Sequence, residues 1–306
     1  MKTTFVIEWR NSGGTAPVAT AIEQVQRLAS AADRSVIPLV AVPFMGPTGQ
    51  RRCEDAGVAW LDLSGNAQIV APGIRVRIDG QPNRYKRPGR RSSAFAPKSA
   101  RIARWLLMHP HQPTMQQEIA QATGMDKGFT SRILARLEED GLIVRGPDGA
   151  IGLQDPDLLL DAWHEEHDFA KHQIISGHVP ARSGADLLRK LAGELRDGLV
   201  QYAATGLAAA WLLTRFAGFR LVTIYVAEHP APRILNRLGF REEERGANVR
   251  LVLPKDEGVF HGVVDRDGVA CVHPVQVYLD LKSQPERAKE AAEHLRSELL
   301  KWGADD

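Results

Sequence analysis

The stretch MDKGFTSRILARLEEDGLI, residues 125–143, has the pattern of an amphipathic helix. Asp126 is a good N-cap for a helix, and Gly141 is a residue type that ends one. Between them, four positions recur at i, i+3, i+4 and i+7, the spacing of one buried helix face: Thr130, Ile133, Leu134 and Leu137. The stretch therefore predicts a helix with one side packed on a core and the other side left to solvent.

The outward side of this helix carries residue types that suit a DNA groove. Guanidinium groups bond guanine edges or phosphates, and an exposed phenylalanine can contact a thymine methyl group. A duplex is therefore the predicted partner. The predicted readout residues are Lys127, Phe129, Ser131, Arg132 and Arg136.

Two further helices are predicted before this one. The first, Ser99–Met108, has apolar residues at helical spacing. The second is predicted to begin at Thr114, which is expected to cap it, with Gln117 completing a capping-box pattern. Gly124 then supplies the sharp turn between the second and third helices.

A hairpin is predicted after the third helix. Leu142–Arg145 and Ala150–Leu153 flank the turn Gly146–Gly149, and Arg145 is expected to reach a phosphate. Three helices and a hairpin make a winged helix-turn-helix. Residues 125–143 resemble the recognition helix and following strand of MarR-like winged-helix regulators. A winged helix used only for dimerisation or protein contact is the alternative.

A basic segment precedes this module. Between Arg75 and Arg104 there are ten Lys or Arg against one acid, Asp79. This local excess of positive charge indicates nucleic-acid binding more strongly than the net charge of the whole chain does. Residues 81–96 mix Gly, Pro and Arg without periodicity and are predicted to be a basic linker. A plain soluble tether is the alternative. The phosphate contacts predicted there are Arg87, Arg90 and Arg91.

Composition predicts a globular protein of several domains. The chain has 306 residues, 43% hydrophobic and 25% charged, with a net charge of +2. Cys53 and Cys271 match no metal-ligand spacing and are expected to be inert. Neither the apolar core of a signal peptide nor a run of about 18 apolar residues occurs. We therefore expect a soluble, cytoplasmic bacterial protein without a membrane partner.

Residues 1–80 are predicted to form an α/β domain. A helix at Ala19–Ala31 precedes an apolar strand at Val36–Phe44, which Pro38 and Pro43 mark as an edge strand or a broken one. A hairpin and a further strand follow. This order resembles restriction-endonuclease-like folds, which imply a metal held by an Asp and a Glu-x-Lys pair.

The residues that such a nuclease needs are missing. The strand at residues 36–44 contains neither an acid nor a lysine. Asp62 and Glu54 are expected to be a turn-side and a surface carboxylate. No metal and no catalytic residue are therefore predicted here.

Residues 177–306 are predicted to form a second α/β domain, which resembles a nucleotidyltransferase core. Thr205-Gly206 and the strand Leu221–Val226 match that family's Gly-Ser and acidic strand, but Thr223 and Tyr225 stand where metal-binding aspartates are expected. Magnesium and a nucleoside triphosphate then have no anchor, so the domain is predicted to be catalytically silent and without a cofactor. His164 and His167, beside several acids, are expected to lie on a solvated helix end.

Motifs outside the winged helix carry a further resemblance. They look like those of the AbiEi-type antitoxin and transcriptional-regulator family of type IV toxin-antitoxin systems, which implies a repressor and a cognate toxin partner. In this chain the winged helix is central, behind an additional α/β domain. The motifs are Gly57–Asn66, Leu158–Trp163, Gly246–Val249, His273–Leu281 and Glu290–Arg296.

The predicted fold class is α/β plus α, with a winged helix-turn-helix at residues 97–170 between a restriction-endonuclease-like and a nucleotidyltransferase-like α/β domain. The predicted function is sequence-specific binding of double-stranded DNA as a transcriptional regulator, most simply a repressor and not an enzyme. Two alternatives remain: an antitoxin that neutralises a toxin by protein contact, and a DNA-processing enzyme with an unrecognised site. A homodimer on paired half-sites is a further prediction.

Overall fold

The computed structural model describes residues 3–32, 35–85, 93–282, 284–285 and 287–302. They divide into two compact units. The first unit comprises the chain up to Ala94 together with His111–Gln116 and Lys127–Glu165, and the second comprises Phe95–Pro110, Gln117–Asp126 and the chain from Glu166 onward. The domain boundaries predicted at residues 80, 96 and 170 stay predictions.

The first unit contains a five-stranded sheet in the order β1-β2-β3-β4-β5. Its first three strands are parallel, and the last two add an antiparallel hairpin. The strands are β1 (Phe5–Trp9), β2 (Ile37–Val42), β3 (Ala59–Asp62), β4 (Ala67–Ala71) and β5 (Ile74–Ile78).

Helices α1 (Thr15–Ser30) and α2 (Pro47–Asp55) make the two parallel crossovers. Val18, Ile22 and Val25 of α1 recur at helical spacing, and they form one buried cluster with β2 and β3 side chains such as Trp60. The α/β character predicted for this part of the chain is confirmed.

The prediction that this strand is an edge strand or a broken one was wrong, because β2 is continuous and lies between β1 and β3. Pro38 is only the second residue of the strand, and Pro43 follows its last residue. The positions between them all keep an N–H, so the strand can pair on both sides.

The central segment contains three helices, a hairpin and a fourth helix. The first three helices and the hairpin follow the order predicted for a winged helix-turn-helix. The elements are α3 (Ala100–Met108), α4 (Gln116–Thr123), α5 (Lys127–Glu139), β6 (Ile143–Arg145), β7 (Ile151–Leu153) and α6 (Pro156–Glu166).

Thr114 does not cap α4, so that prediction was wrong. Thr114 instead forms an antiparallel bridge with Ile151, with both N–H···O bonds at 2.9 Å, and its hydroxyl donates to the Gln112 carbonyl at 2.8 Å. The sequence pattern gave no indication that the backbone at Thr114 pairs with the wing strand β7 as a short third strand.

Two glycines end helices as predicted. Gly124, after α4, has φ +65°, and Gly141, after α5, has φ +71°. In each case the next residue donates back across the helix end, Met125 to the Ala120 carbonyl at 2.9 Å and Leu142 to the Leu137 carbonyl at 2.8 Å. These bonds satisfy helix carbonyls that otherwise lack partners.

The second unit is built on a seven-stranded mixed sheet in the order β11-β8-β12-β10-β9-β14-β13. Its α/β character is confirmed, while the two specific fold identities proposed for the flanking parts stay predictions. The strands are β8 (Gln173–His178), β9 (Tyr202–Thr205), β10 (Val222–Val226), β11 (Arg241–Glu242), β12 (Val249–Leu253), β13 (Val264–Arg266) and β14 (Val269–Cys271).

Five helices of this unit accompany the sheet. Among them, α8 and α10 are apolar over most of their length, and most of their residues are buried. The helices are α7 (Gly184–Asp197), α8 (Gly206–Thr214), α9 (Pro232–Leu238), α10 (Pro274–Leu281) and α11 (Ala288–Leu299).

Candidate nucleic-acid interface

The inward stripe of α5 is buried as predicted. Thr130, Leu134 and Leu137 are fully buried, and Ile133 is 3% exposed. Because successive residues of a helix are 100° apart, burying these four positions turns Ser131, Arg132 and Ala135 outward. Packing of the inward stripe therefore determines which side chains of α5 face solvent.

The five predicted readout residues do not share one environment. Lys127, Ser131 and Arg132 are exposed, whereas Phe129 and Arg136 are half-buried. The guanidinium carbon of Arg132 lies 5.9 Å from the centre of the Phe129 ring, within cation–π range. This contact restricts Arg132 without covering it.

The two ends of α5 differ in charge. Lys127 and Arg132 lie in the N-terminal half, where the helix dipole adds partial positive charge. The C-terminal end carries Glu138, Glu139 and Asp140, all exposed. The N-terminal half is therefore the half that attracts a polyanion.

Arg136 belongs to the acidic end of the helix. Its Nε lies 4.0 Å from Asp140 Oδ2, one helical turn further on. Ion pairs of this spacing on a helix surface are weak, so Arg136 can leave Asp140 for a stronger anion.

The wing is a short hairpin with a tight tip. Ile143 pairs with Leu153 and Arg145 with Ile151. At the tip, Gly149 has φ +83° and donates its N–H to the Gly146 carbonyl at 3.0 Å. The predicted hairpin is confirmed to within one residue at each strand.

Arg145 is paired within the first unit. Its Nε donates to Glu138 Oε2 at 2.8 Å, and about a third of its side chain is exposed. A phosphate contact by Arg145 must therefore compete with the Glu138 carboxylate.

Two arginines of the basic segment, Arg101 and Arg104, bond to residues of the second unit. Arg101 makes a two-pronged ion pair with Asp256 at 2.6 and 2.7 Å, and this hydrogen bonding raises its pKa. Arg104 is buried and donates to Gln276 Oε1 at 2.5 Å, and burial lowers its pKa to about 10. Counting both arginines toward a DNA-facing charge was wrong.

The three linker arginines, Arg87, Arg90 and Arg91, lie outside the described residues. Their predicted phosphate contacts stay predictions.

The two candidate nuclease carboxylates, Asp62 and Glu54, contact different partners. Asp62 accepts hydrogen bonds from the Met45 N–H at 3.1 Å and from the N–H and side-chain amide of Asn66, both at 2.9 Å. Glu54 lies on α2 and approaches Arg77 at 3.9 Å. Asp62 organises a turn, as the sequence predicted.

A buried polar network lies in the second unit around Asp280, which has no exposed surface. Asp280 accepts from the Thr205 hydroxyl at 2.6 Å and the Gln276 amide at 2.7 Å, and His167 Nε2 lies at 2.9 Å. The expected solvated position of His167 was wrong. The missed signal is the i, i+4 pair Gln276 and Asp280 within the otherwise apolar helix α10.

The strand that would carry metal-binding aspartates in a nucleotidyltransferase carries neutral groups beside this network. Tyr225 is fully buried, which raises the pKa of its phenol well above the usual value. Its hydroxyl lies 3.4 Å from Nε2 of His172, whose pKa burial lowers. Across the described ranges, no group of three His, Cys, Asp or Glu residues is placed to hold a metal ion.

Two family models match successive parts of the chain. Residues 96–150 match the MarR family, and residues 152–301 match a family described as transcriptional regulator, AbiEi antitoxin, type IV TA system. Both resemblances inferred from sequence motifs are thereby confirmed. No curated protein and no solved structure matches the chain.

Each family model covers less than half of the chain, and the description of the second family names a transcriptional regulator and an antitoxin. In addition, no helix in the described ranges combines the length and apolar character needed to cross a bilayer.

Proposed function

We propose that this protein is a cytoplasmic, sequence-specific double-stranded DNA-binding regulator that represses transcription. The observation that carries the proposal is the outward side of α5. It presents Lys127, Ser131 and Arg132 opposite a fully buried stripe, within a segment that matches the MarR family.

Base readout is assigned to the N-terminal half of α5. A helix fits the major groove of B-DNA, and an arginine can bond O6 and N7 of one guanine together. Arg132 is the exposed arginine of this half and makes that contact in our proposal. Lys127 and Ser131 contact neighbouring bases, and Phe129 and Arg136 contact the groove edge.

Phosphate binding is assigned to the wing and the linker. Arg145 reaches the backbone beside the groove after exchanging Glu138 for a phosphate, and Arg87, Arg90 and Arg91 add contacts from the linker. These contacts position the protein but carry no sequence information. Affinity for all duplexes should therefore fall as salt rises, because neutralised phosphates release counterions.

The test starts with selection of bound sites from random duplex DNA, which yields the preferred site and its symmetry. Affinities of wild type and Arg132→Ala are then measured on the preferred and a scrambled duplex. We expect Arg132→Ala to cost about 1–3 kcal/mol on the preferred site and much less on the scrambled one.

The matched control is Arg189→Ala, which removes an exposed arginine from α7. It should leave both affinities unchanged. If selection enriches no sequence, or if the two variants behave alike, base readout by α5 is wrong.

Toxin neutralisation is a second candidate function, favoured by the AbiEi match over residues 152–301. The test is co-expression with the product of a neighbouring toxin gene, measuring co-purification and growth. Arg132→Ala should still neutralise the toxin while binding its preferred DNA site more weakly. If this variant lost toxin neutralisation as well as DNA affinity, the proposal that the toxin and DNA contact different surfaces of the chain would be wrong.

A further inference from the structure

The two edges of the first unit's sheet are built differently. β5 forms one edge and carries Arg75 and Arg77, charges of the kind that keep edge strands from pairing with other chains. β1 forms the other edge, and no strand in the described ranges pairs with its outer side. Its only ionisable residue, Glu8, is ion-paired with Arg10.

The hydrogen bonds to β2 identify which peptide groups of β1 face outward. The Thr4 carbonyl accepts from the Ile37 N–H at 2.9 Å, and the Arg10 N–H donates to the Ala41 carbonyl at 3.0 Å. Because peptide groups alternate along a parallel strand, even-numbered residues point toward β2. The N–H and C=O groups of Phe5, Ile7 and Trp9 therefore point to the open edge.

The side chains of the same three residues lie on one face of the sheet. Val6, on the opposite face, packs with α1. Ile7 is 58% exposed and Trp9 44% exposed, although both are large hydrophobic residues. An open edge and exposed apolar side chains thus coincide on β1.

We propose that this edge is an interface between two copies of the chain, in which β1 pairs antiparallel with β1 of a second copy about a two-fold axis at Ile7. Ile7 then lies opposite the partner's Ile7, and Phe5 opposite the partner's Trp9. In this register every outward peptide group meets an outward peptide group.

Charge distinguishes this pairing from the same arrangement at the other edge. On β1, Glu8 lies opposite the partner's Val6, so no like charges meet. A symmetric pair of β5 strands would place Arg75 opposite the partner's Arg77, which is unfavourable. A contact from β1 to the partner's β5 leaves two edges open and continues into a filament.

The interface is small, and its affinity should be correspondingly modest. A five-residue strand with two exposed apolar side chains buries less than the roughly 800 Å² per partner of a standard interface. Pairing also displaces a long bond of 3.4 Å from the Arg10 guanidinium to the Trp9 carbonyl. We therefore expect a concentration-dependent dimer.

The first experiment is sedimentation velocity of the full chain, without DNA, from micromolar to near-millimolar concentration. Wild type should shift from monomer to dimer. Ile7→Lys should stay monomeric, because it sets two lysines opposite each other at an already exposed position. Ile78→Lys, at an exposed position on β5, is the control and should dimerise like wild type.

The second experiment tests the register with Ile7→Cys under mild oxidation. Opposed residues of a hydrogen-bonded pair have Cα atoms about 5.5 Å apart, which a disulfide can span. Burial raises the pKa of the Cys53 and Cys271 thiols to about 12, so neither native cysteine competes. Ile7→Cys should give a covalent dimer, and Ile78→Cys should not.

A wild type that is monomeric throughout, dissociation by Ile78→Lys instead of Ile7→Lys, or growth into larger assemblies would each overturn the proposal. Since neither experiment contains DNA, its outcome is independent of the proposed readout by α5.

Discussion

The outward side of α5 and the buried network around Asp280 both contain arginine and hydroxyl side chains, yet only the first is available to a partner. Arg132 faces solvent, whereas Arg104 is 3% exposed and bonded to Gln276. A high local density of basic residues therefore does not by itself identify a binding surface.

Helical position accounts for the difference between the two arginines. Arg104 stands four residues after Ala100, one after Ala103 and three before Leu107, all buried on α3. It is therefore part of the inward stripe. Arg132 lies between the inward positions Thr130 and Ile133, on the opposite side of α5.

The largest expected effect breaks the buried network. Arg104→Ala should lower the free energy of unfolding by about 1–3 kcal/mol, because it leaves the buried Gln276 amide oxygen without the donor that Arg104 supplies. Arg132→Ala should change it by no more than about 0.5 kcal/mol, as for an ordinary surface position. Urea unfolding measures both. If the two variants lost similar amounts of unfolding free energy, the prediction that the buried arginine contributes more to stability than the exposed one would be wrong.

A second prediction concerns acid sensitivity near the network. Burial, with a further contribution from Arg104, lowers the pKa of His273 to about 4, and its Nδ1 accepts the Val275 N–H at 3.2 Å to cap α10. The unfolded chain binds this proton near pH 6.5, so stability should be lost as pH falls from about 6.5 toward 4.

His273→Asn tests this assignment, because asparagine keeps a capping oxygen and does not titrate. Urea midpoints at pH 7.5 and pH 5 should differ less in the variant than in wild type. An equal difference would assign the acid sensitivity to other groups, such as His172 and His261, whose pKa values burial also lowers.

The smallest expected effect sharpens the description of the DNA-facing side. Glu138→Gln should raise DNA affinity by about 0.2–1 kcal/mol, the range for an exposed ion pair, because it releases Arg145. Glu139→Gln controls for the loss of a negative charge on the same helix. In an Arg145→Ala background the gain from Glu138→Gln should vanish. If Glu138→Gln still raised DNA affinity in the Arg145→Ala background, the gain would not arise from release of Arg145.

Local features were predicted well. The inward stripe of α5, the turn at Gly124 and the hairpin around Gly146–Gly149 depend on residues within a few positions of each other, and all three are confirmed. The motif-based family resemblances are confirmed as well. The DNA contacts of individual residues stay predictions.

Errors arose where a distant segment supplies the partner. Thr114 has the sequence environment of a helix cap but pairs with Ile151. His167 lies among acids that suggest a solvated helix end, yet its ring meets Asp280, more than a hundred residues later. No local pattern specifies such long-range partners.

By itself, the sequence determined which residues of α5 face inward, because helical periodicity is set by backbone geometry and burial of apolar side chains follows it. Only the tertiary structure decided which charges are available. Arg101 and Arg104 are paired by Asp256 and Gln276, and the pairing of Arg145 with Glu138 depends on how the wing folds back toward α5. The physical reason is that a charge acts through its surroundings, and those surroundings are assembled from residues far apart in the chain.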